Sequence, residues 1–141
     1  MITGHKRHGK NRHKYTTRLE PPKEAGKIVR LAHSKVSVLS MKEGISLVSV
    51  ELLTGRTHQI RAHFADINKP LVQDELYGGK KALKKIMNGE VRNACLRIER
   101  QALHAHILEF KHPKNGKIMS FSAKMPKDLQ ELAALLGEKS I

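Results

Sequence analysis

Leu53-Thr54-Gly55-Arg56-Thr57-His58-Gln59-Ile60-Arg61-Ala62-His63-Phe64 is the stretch on which the reading of this chain turns. It runs from the end of a strand, through a glycine turn, straight into a helix dense with polar groups. Thr57 is the predicted N-cap, its hydroxyl accepting from the N–H near Ile60. Helical spacing puts Ile60, Phe64 and Ile67 on one face, to pack on a sheet, and His58, Arg61, Ala62 and Ala65 on the opposite one. The small alanines leave space around the Arg61 guanidinium. A helix N-terminus carrying Arg56, Thr57 and His58 makes a cationic ledge that can hold a phosphate or a carboxylate. A surface salt bridge from Arg61 to a neighbouring acid satisfies the same pattern, and the residues alone leave both readings open.

Upstream, Val36 and Val38 alternate with Lys35 and Ser37. After Met41-Lys42-Glu43-Gly44, Val48, Val50 and Leu52 alternate with Ser49 and Glu51. Two period-2 runs about a glycine turn predict an antiparallel hairpin with one buried face. Downstream, Asn68 suits the left-handed position that ends a helix, and Pro70 prevents continuation. Residues 80–88 set Ala82, Leu83, Ile86 and Met87 against Lys80, Lys81, Lys84 and Lys85, which predicts a helix with one basic face, lying on RNA or simply solvated. A second hairpin is predicted between residues 104–111 and 117–123, around Pro113-Lys114-Asn115-Gly116. Leu129, Leu132, Leu135 and Leu136 line a closing helix opened by Asp128 and ended by Gly137. The sum is an α+β arrangement, a mixed or antiparallel sheet with a few packed helices.

Two parts follow from composition. Residues 1–25 form a basic arm in which Lys6, Arg7, Lys10, Arg12, Lys14 and Arg18 precede the first acid. It cannot bury enough to fold alone and is expected to order on RNA, with Pro21-Pro22 as an extended connector. Residues 26–141 form the folded unit. Across the 141 residues Lys+Arg outnumber Asp+Glu by 27 to 13, a formal +14. Such a surplus repels itself unless a polyanion neutralises it, and phosphate backbone is a stronger candidate than a generic solubility surface or a membrane. Aromatics are only 4%, so a nucleic-acid platform of stacked rings is not expected. The lone Cys95 excludes an intramolecular disulfide and a multi-cysteine zinc site, and it suits a reducing cytoplasm. The run Leu132-Ala133-Ala134-Leu135-Leu136 is far too short to span a bilayer, and no apolar segment near the N-terminus reads as a signal peptide.

Thr54-Gly55-Arg56-Thr57-His58-Gln59-Ile60-Arg61-Ala62-His63 resembles the T-G-R-T/S-H-Q-I/L-R-V-H motif of RluA-class RNA pseudouridine synthases. Three further blocks keep the family's order. They are Gly26-Lys27, then Pro70-Leu71-Val72-Gln73-Asp74-Glu75-Leu76-Tyr77-Gly78, similar to P-L-x-G-D-x-x-Y-G, and Leu103-His104-Ala105 with Phe110-Lys111-His112-Pro113 and Gly116. Four blocks in register are far more specific than one. Asn68-Lys69-Pro70 replaces the family's G-H-P, and Gln73 stands where a glycine is usual. The resemblance implies the C-terminal part of the pseudouridine synthase catalytic fold and a cofactor-free isomerisation of uridine in structured RNA, of ribosomal or transfer type. It implies Arg61 as the cation that positions a nucleophilic aspartate, Leu103 as part of the uracil pocket, and Arg56 and His58 as supports for RNA or for the local fold.

The family's H-R-L-D-x-x-T-S-G block, which carries the nucleophile, and its K-x-Y-x-A block have no match here. Asp66, Asp74 and Asp128 are the only aspartates, and none sits in such a context. The chain by itself is therefore expected to be inactive, with the aspartate supplied by a separate chain, or to serve as a non-catalytic RNA-binding module. An exposed sheet edge gives it a route to a homodimer. The nine histidines do not read as a metal site: His104 and His106 share a strand face, but His58 and His63 diverge on a helix and no Cys or carboxylate completes a ligand set. Cys95 has no motif around it that would make it a nucleophile.

Overall fold

The computed structural model describes residues 2–7, 15–18 and 30–138, with side chains described from residue 30 onward. In chain order the elements are β1 (Ile2–Arg7), β2 (Tyr15–Arg18), β3 (Arg30–Lys42), β4 (Ile45–Leu52), α1 (Gln59–Asp66), α2 (Gly79–Ala82) with a 3-10 turn Leu83–Lys85, α3 (Gly89–Arg97), β5 (Ile107–Lys111), β6 (Ile118–Ser122) and α4 (Lys127–Leu135). Strands β2-β1-β3-β4 form one sheet and β5-β6 a second. All the described pairings are antiparallel. The α+β expectation holds.

The β3–β4 hairpin closes on Glu43 and Gly44, both with positive φ (53° and 77°). That is the backbone a two-residue hairpin turn requires. The register runs from Ser34↔Leu52 to Lys42↔Ile45 and slips between Val38 and Ser40. The slip breaks the alternation that put Val38 inward, and Val38 is 64% exposed. Nearer the turn, Ile45 and Leu47 pack on the helical core.

That core joins Leu83 and Ile86 to Val91, Ala94, Cys95 and Ile98 around α3, and to Leu129, Leu132 and Leu136 of α4. α3 lies where no element is expected above, although its signals are local. Asn88 caps it by accepting from the Val91 N–H at 3.0 Å, and 91, 94, 95 and 98 are apolar at helical spacing. The helix expected over residues 80–88 is broken instead. Leu83 and Ile86 are buried as expected, but Met87 is 91% exposed, because Asn88 starts a new helix there. Cys95 is fully buried, and burial pushes its thiol pKa up, so it packs as a small hydrophobe.

The second hairpin and the closing helix stand as the sequence implied. Gly116 takes φ 69° at the β5–β6 turn. Gly137 takes φ 92°, and the Glu138 N–H reaches the Ala133 carbonyl at 3.0 Å, closing α4 with a left-handed cap.

The basic stretch at the N-terminus is not an unpaired tail in its described parts. β1 pairs with β2 and also with β3, as in Ile2↔His33 and His5↔Arg30. A strand added to a sheet edge is held by ladder hydrogen bonds and needs little burial of its own, so low apolar content did not forbid it. Lys6 and Arg7 lie on β1. Lys10, Arg12, Lys14, Pro21-Pro22 and Gly26-Lys27 lie outside the described residues.

Candidate active-site scaffold around Arg61

α1 is locked to β3 by one side chain. Gln59 is 3% exposed, and both ends of its amide are used fully. Its Nε2 donates to the His33 carbonyl at 3.0 Å and to Ser34 Oγ at 2.9 Å. Its Oε1 accepts from the Arg56 N–H at 3.0 Å and from Thr54 Oγ1 at 2.8 Å. Thr54 Oγ1 in turn accepts from the His33 N–H at 2.8 Å. Ser34 Oγ also lies 3.1 Å from Nδ1 of the fully buried His63.

This network corrects the helix expected from sequence. α1 begins at Gln59, and its N-cap position falls on His58 at φ 56°, whose side chain makes no cap hydrogen bond, rather than on Thr57. Gln59 instead reaches back to the Arg56 N–H, which lies before the helix, and so fixes the turn that leads into it. The buried face is Gln59, Ala62 and His63 with Phe64, whereas Ile67 is 49% exposed. Ala62 is fully buried, so it packs the helix down rather than making room for the guanidinium. Polar residues at i and i+4 that find partners across the interface can define a buried face as firmly as apolar ones. The helix ends as expected: Asn68 takes φ 58°, and the Lys69 N–H bonds the Phe64 carbonyl at 2.8 Å.

Arg61 projects toward residues 70–78. Its Nε and Nη2 donate to the two oxygens of Asp74, each at 2.7 Å. The Asp74 side chain has no solvent exposure and that of Arg61 retains 15%. The carboxylate is fixed in turn by accepting from the Tyr77 N–H at 3.1 Å. The Tyr77 ring lies under the guanidinium, 5.1 Å from centroid to Cζ, a cation–π contact. A bidentate pair taken through Nε and Nη2 leaves the Nη1 edge unused, and Nη1 has no hydrogen-bond partner among the described residues. The Asp74 pairing strengthens the proton affinity of Arg61 further above its ordinary value, so the group stays cationic.

The loop that supplies Asp74 keeps a glycine-like path without the glycine. Gln73 has φ 59°, and its Nε2 donates to the Leu96 carbonyl at 3.2 Å. A side chain in the left-handed region costs on the order of 1 kcal/mol. Gln73→Gly is therefore expected to raise folding stability by about 0.5–1 kcal/mol, read from the urea midpoint, although it loses one exposed hydrogen bond. An unchanged or lower midpoint would show that the strain at Gln73 is no larger than the chain entropy and hydrogen bond that glycine loses.

His58 sits edge-on to Tyr77 at 5.9 Å between centroids, with its Nδ1 3.4 Å from Tyr77 Oη. Desolvation first, and the Arg61 charge second, lower its pKa below 6.5, with Asp74 opposing. The folded state thus binds this proton less readily than the unfolded chain. The His58 contribution should be fully favourable above pH 6.5 and fade as pH falls from there toward the folded-state pKa. His58→Asn, which tolerates the left-handed backbone, is expected to flatten that part of a melting-temperature profile; a parallel profile would remove His58 as the cause.

The remaining candidates are placed less centrally. Arg56 Nε donates to the Leu31 carbonyl at 3.0 Å, bracing β3. Leu103 is 39% exposed and follows Ala102, whose N–H bonds the Val72 carbonyl at 2.8 Å. That bond ties the Leu103 segment to the loop that carries Asp74. His104 and His106 both lie 3.0 Å from the Ala123 carbonyl. Among the described residues, no cluster of three His, Cys, Asp or Glu side chains is placed to hold a metal, and no helix is long and apolar enough to cross a membrane. Two surface depressions of about 330 and 420 Å³ lie elsewhere, around Gln73–Leu96 and Arg97–Asp128, and neither is lined by Arg61.

Residues 3–66 match the family described as RNA pseudouridylate synthase. Over 132 residues, 94% of the chain, the sequence is 37% identical to ribosomal large subunit pseudouridine synthase D of Pseudomonas aeruginosa, covering 39% of that protein. The chain belongs to the RNA pseudouridylate synthase family. Its Xanthomonas campestris relative of the same name is 47% identical over 89 residues, 63% of the chain and 27% of the relative. A chloroplastic relative, RNA pseudouridine synthase 2 of Arabidopsis thaliana, is 42% identical over 107 residues, 70% of the chain and 25% of that protein. The chain thus spans about a quarter to two fifths of the length of these pseudouridine synthases. For a member of this family, Asp74 is the partner that sequence reasoning missed. Thirteen positions separate it from Arg61, and no local periodicity links a helix to an irregular loop.

Proposed function

We propose that this chain forms part of the catalytic centre of an RNA pseudouridine synthase, with Arg61 holding the carboxylate that attacks the target nucleotide. The reading is carried by the geometry of Arg61: clamped by Asp74, seated on Tyr77, and left with its Nη1 edge unpaired among the described residues. A carboxylate nucleophile must be ionised and aimed, which a fixed cation achieves. The reaction is an isomerisation. The bond from ribose C1′ to uracil N1 breaks, a bond from C1′ to C5 forms, the C5 proton leaves and N1 gains one. No cofactor is needed, and the substrate is uridine in structured RNA, flipped out for access. Leu103 would line the uracil pocket, while Arg56 and His58, with Lys6, Arg7, Lys10, Arg12 and Lys14, would face RNA. The two parts assigned from composition, an RNA-facing arm over residues 1–25 and a catalytic subdomain over 26–141, belong to the same proposal, as does a cytoplasmic setting.

The nucleophile would come from a polypeptide segment bearing H-R-L-D. Exposed apolar residues on one face of the β5–β6 hairpin, Leu108 at 58%, Phe110 at 43% and Phe121 at 51%, support a covering partner. A homodimer through the free edge of β4 would cover other apolar surface and is distinguished by oligomeric state. The decisive experiment mixes the chain with a polypeptide carrying the H-R-L-D block and assays pseudouridine in ribosomal RNA. Activity from the pair, abolished by Arg61→Met, is the expected outcome. An inactive but stably formed pair would refute it. The +14 charge favours, as second reading, a non-catalytic RNA-binding module, which binds RNA alone yet never yields product with the partner.

A further inference from the structure

The four lysines of residues 80–85 follow directly from the Asp74–Tyr77 segment. Gly78 caps α2 immediately after Tyr77, the Gly79 N–H bonds the Asp74 carbonyl at 2.7 Å, and the 3-10 turn Leu83–Lys85 completes the segment. Its apolar side is anchored: Leu83 is 4% exposed and Ile86 6%, both in the core with α3 and α4. All four lysines are exposed. Lys80 is paired with Glu75 at 2.7 Å. Lys81, Lys84 and Lys85 have no acidic partner among the described residues. Three like charges on one short, rigidly seated segment repel one another, and a helix in this position could have carried neutral or mixed side chains at no cost to the core. Such an arrangement is stabilised by a row of phosphates, through counterion release.

We infer that Lys81, Lys84 and Lys85 form a ridge that binds the phosphates of an RNA strand flanking the nucleotide at Arg61. The ridge starts four residues beyond the Tyr77 ring on which Arg61 rests, which sets it beside the proposed site along the chain. The contacts are to backbone and carry affinity and register rather than base identity. The inference rests on the proposed function for the position of the reacting nucleotide, and the experiment separates the two.

The full 141-residue chain is titrated with a single-stranded oligouridylate at several KCl concentrations, alongside the triple variant K81A/K84A/K85A. As a control of equal charge removal, K114A/K117A/K124A alters exposed lysines on and after the β5–β6 hairpin. Loss of three phosphate contacts lowers the slope of log K against log salt by about 2, at roughly 0.7 per contact on a single strand. Affinity near 0.1 M salt should drop by at least about tenfold. The control should change far less, and K81R/K84R/K85R should bind like the parent. Equal losses in both alanine triples, or none in the ridge variant while the parent still binds, overturn the ridge and leave the family function standing. A parent chain without salt-dependent binding also overturns the ridge, while the pair assay decides the proposed function separately. If the ridge variant keeps RNA binding but loses binding to vesicles of anionic phospholipid, the ridge serves a membrane surface and the inference is wrong.

Discussion

Asp74→Ala should destabilise the fold by about 3 kcal/mol, the low end for removing one partner of a buried ion pair. The carboxylate that Arg61 clamps is fully buried, whereas Arg61 keeps 15% of its side-chain surface and can recover some hydration. The Tyr77 N–H loses its acceptor at the same time. Asp74→Asn retains an acceptor for that N–H and should cost less, roughly half as much, because it removes the charge-assisted part alone. The double variant Arg61→Met/Asp74→Ala should be less destabilised than the sum of its single changes, since neither charge is then left without the other. Urea denaturation of the four proteins gives the cycle. A fully additive cycle would mean that the pair is not coupled and that Asp74 does not position Arg61.

Gly79→Ala is the second large effect. A Cβ at Gly79 would overlap the Leu71 carbonyl oxygen and come within 2.8 Å of the Asp74 nitrogen. Both obstacles are backbone, so no side chain can swing away, and residues 70–79 must shift as a unit. The expected cost is at least about 3 kcal/mol, above the usual range for overpacking by one methyl. Gly78→Ala makes the comparison informative. Gly78 has φ 90° and nothing within 4 Å of its added Cβ, so its cost is conformational only, about 1–2 kcal/mol. If the two variants melted together, close approach of the loop to itself would not be what limits residue 79. The same displacement would move Asp74 and hence the Nη1 edge of Arg61, so Gly79→Ala in a reconstituted enzyme should lower kcat more than KM.

Local chemistry determined a good deal here. Alternating apolar residues with Glu43-Gly44 defined the first hairpin, Gly116 the second, and the leucines before Gly137 the closing helix. Asn68 ended α1 where its tolerance of a left-handed backbone said it should. Each of these depends on neighbouring residues, and neighbours are what a sequence displays. The identity and order of the four motif blocks pointed to the family for the same reason.

What the tertiary structure alone decided is everything that joins residues far apart. The pairing of β1 with β3 turned part of a basic stretch into sheet, because an edge accepts a strand through its backbone whatever the side chains are. The buried face of α1 follows Gln59 and His63, since their partners wait on β3 some 25 residues upstream. Above all, the partner of Arg61 was settled by the path of an irregular loop through Gln73 and Gly79. Sequence placed a guanidinium on a helix; packing chose the carboxylate that holds it and the edge it leaves open.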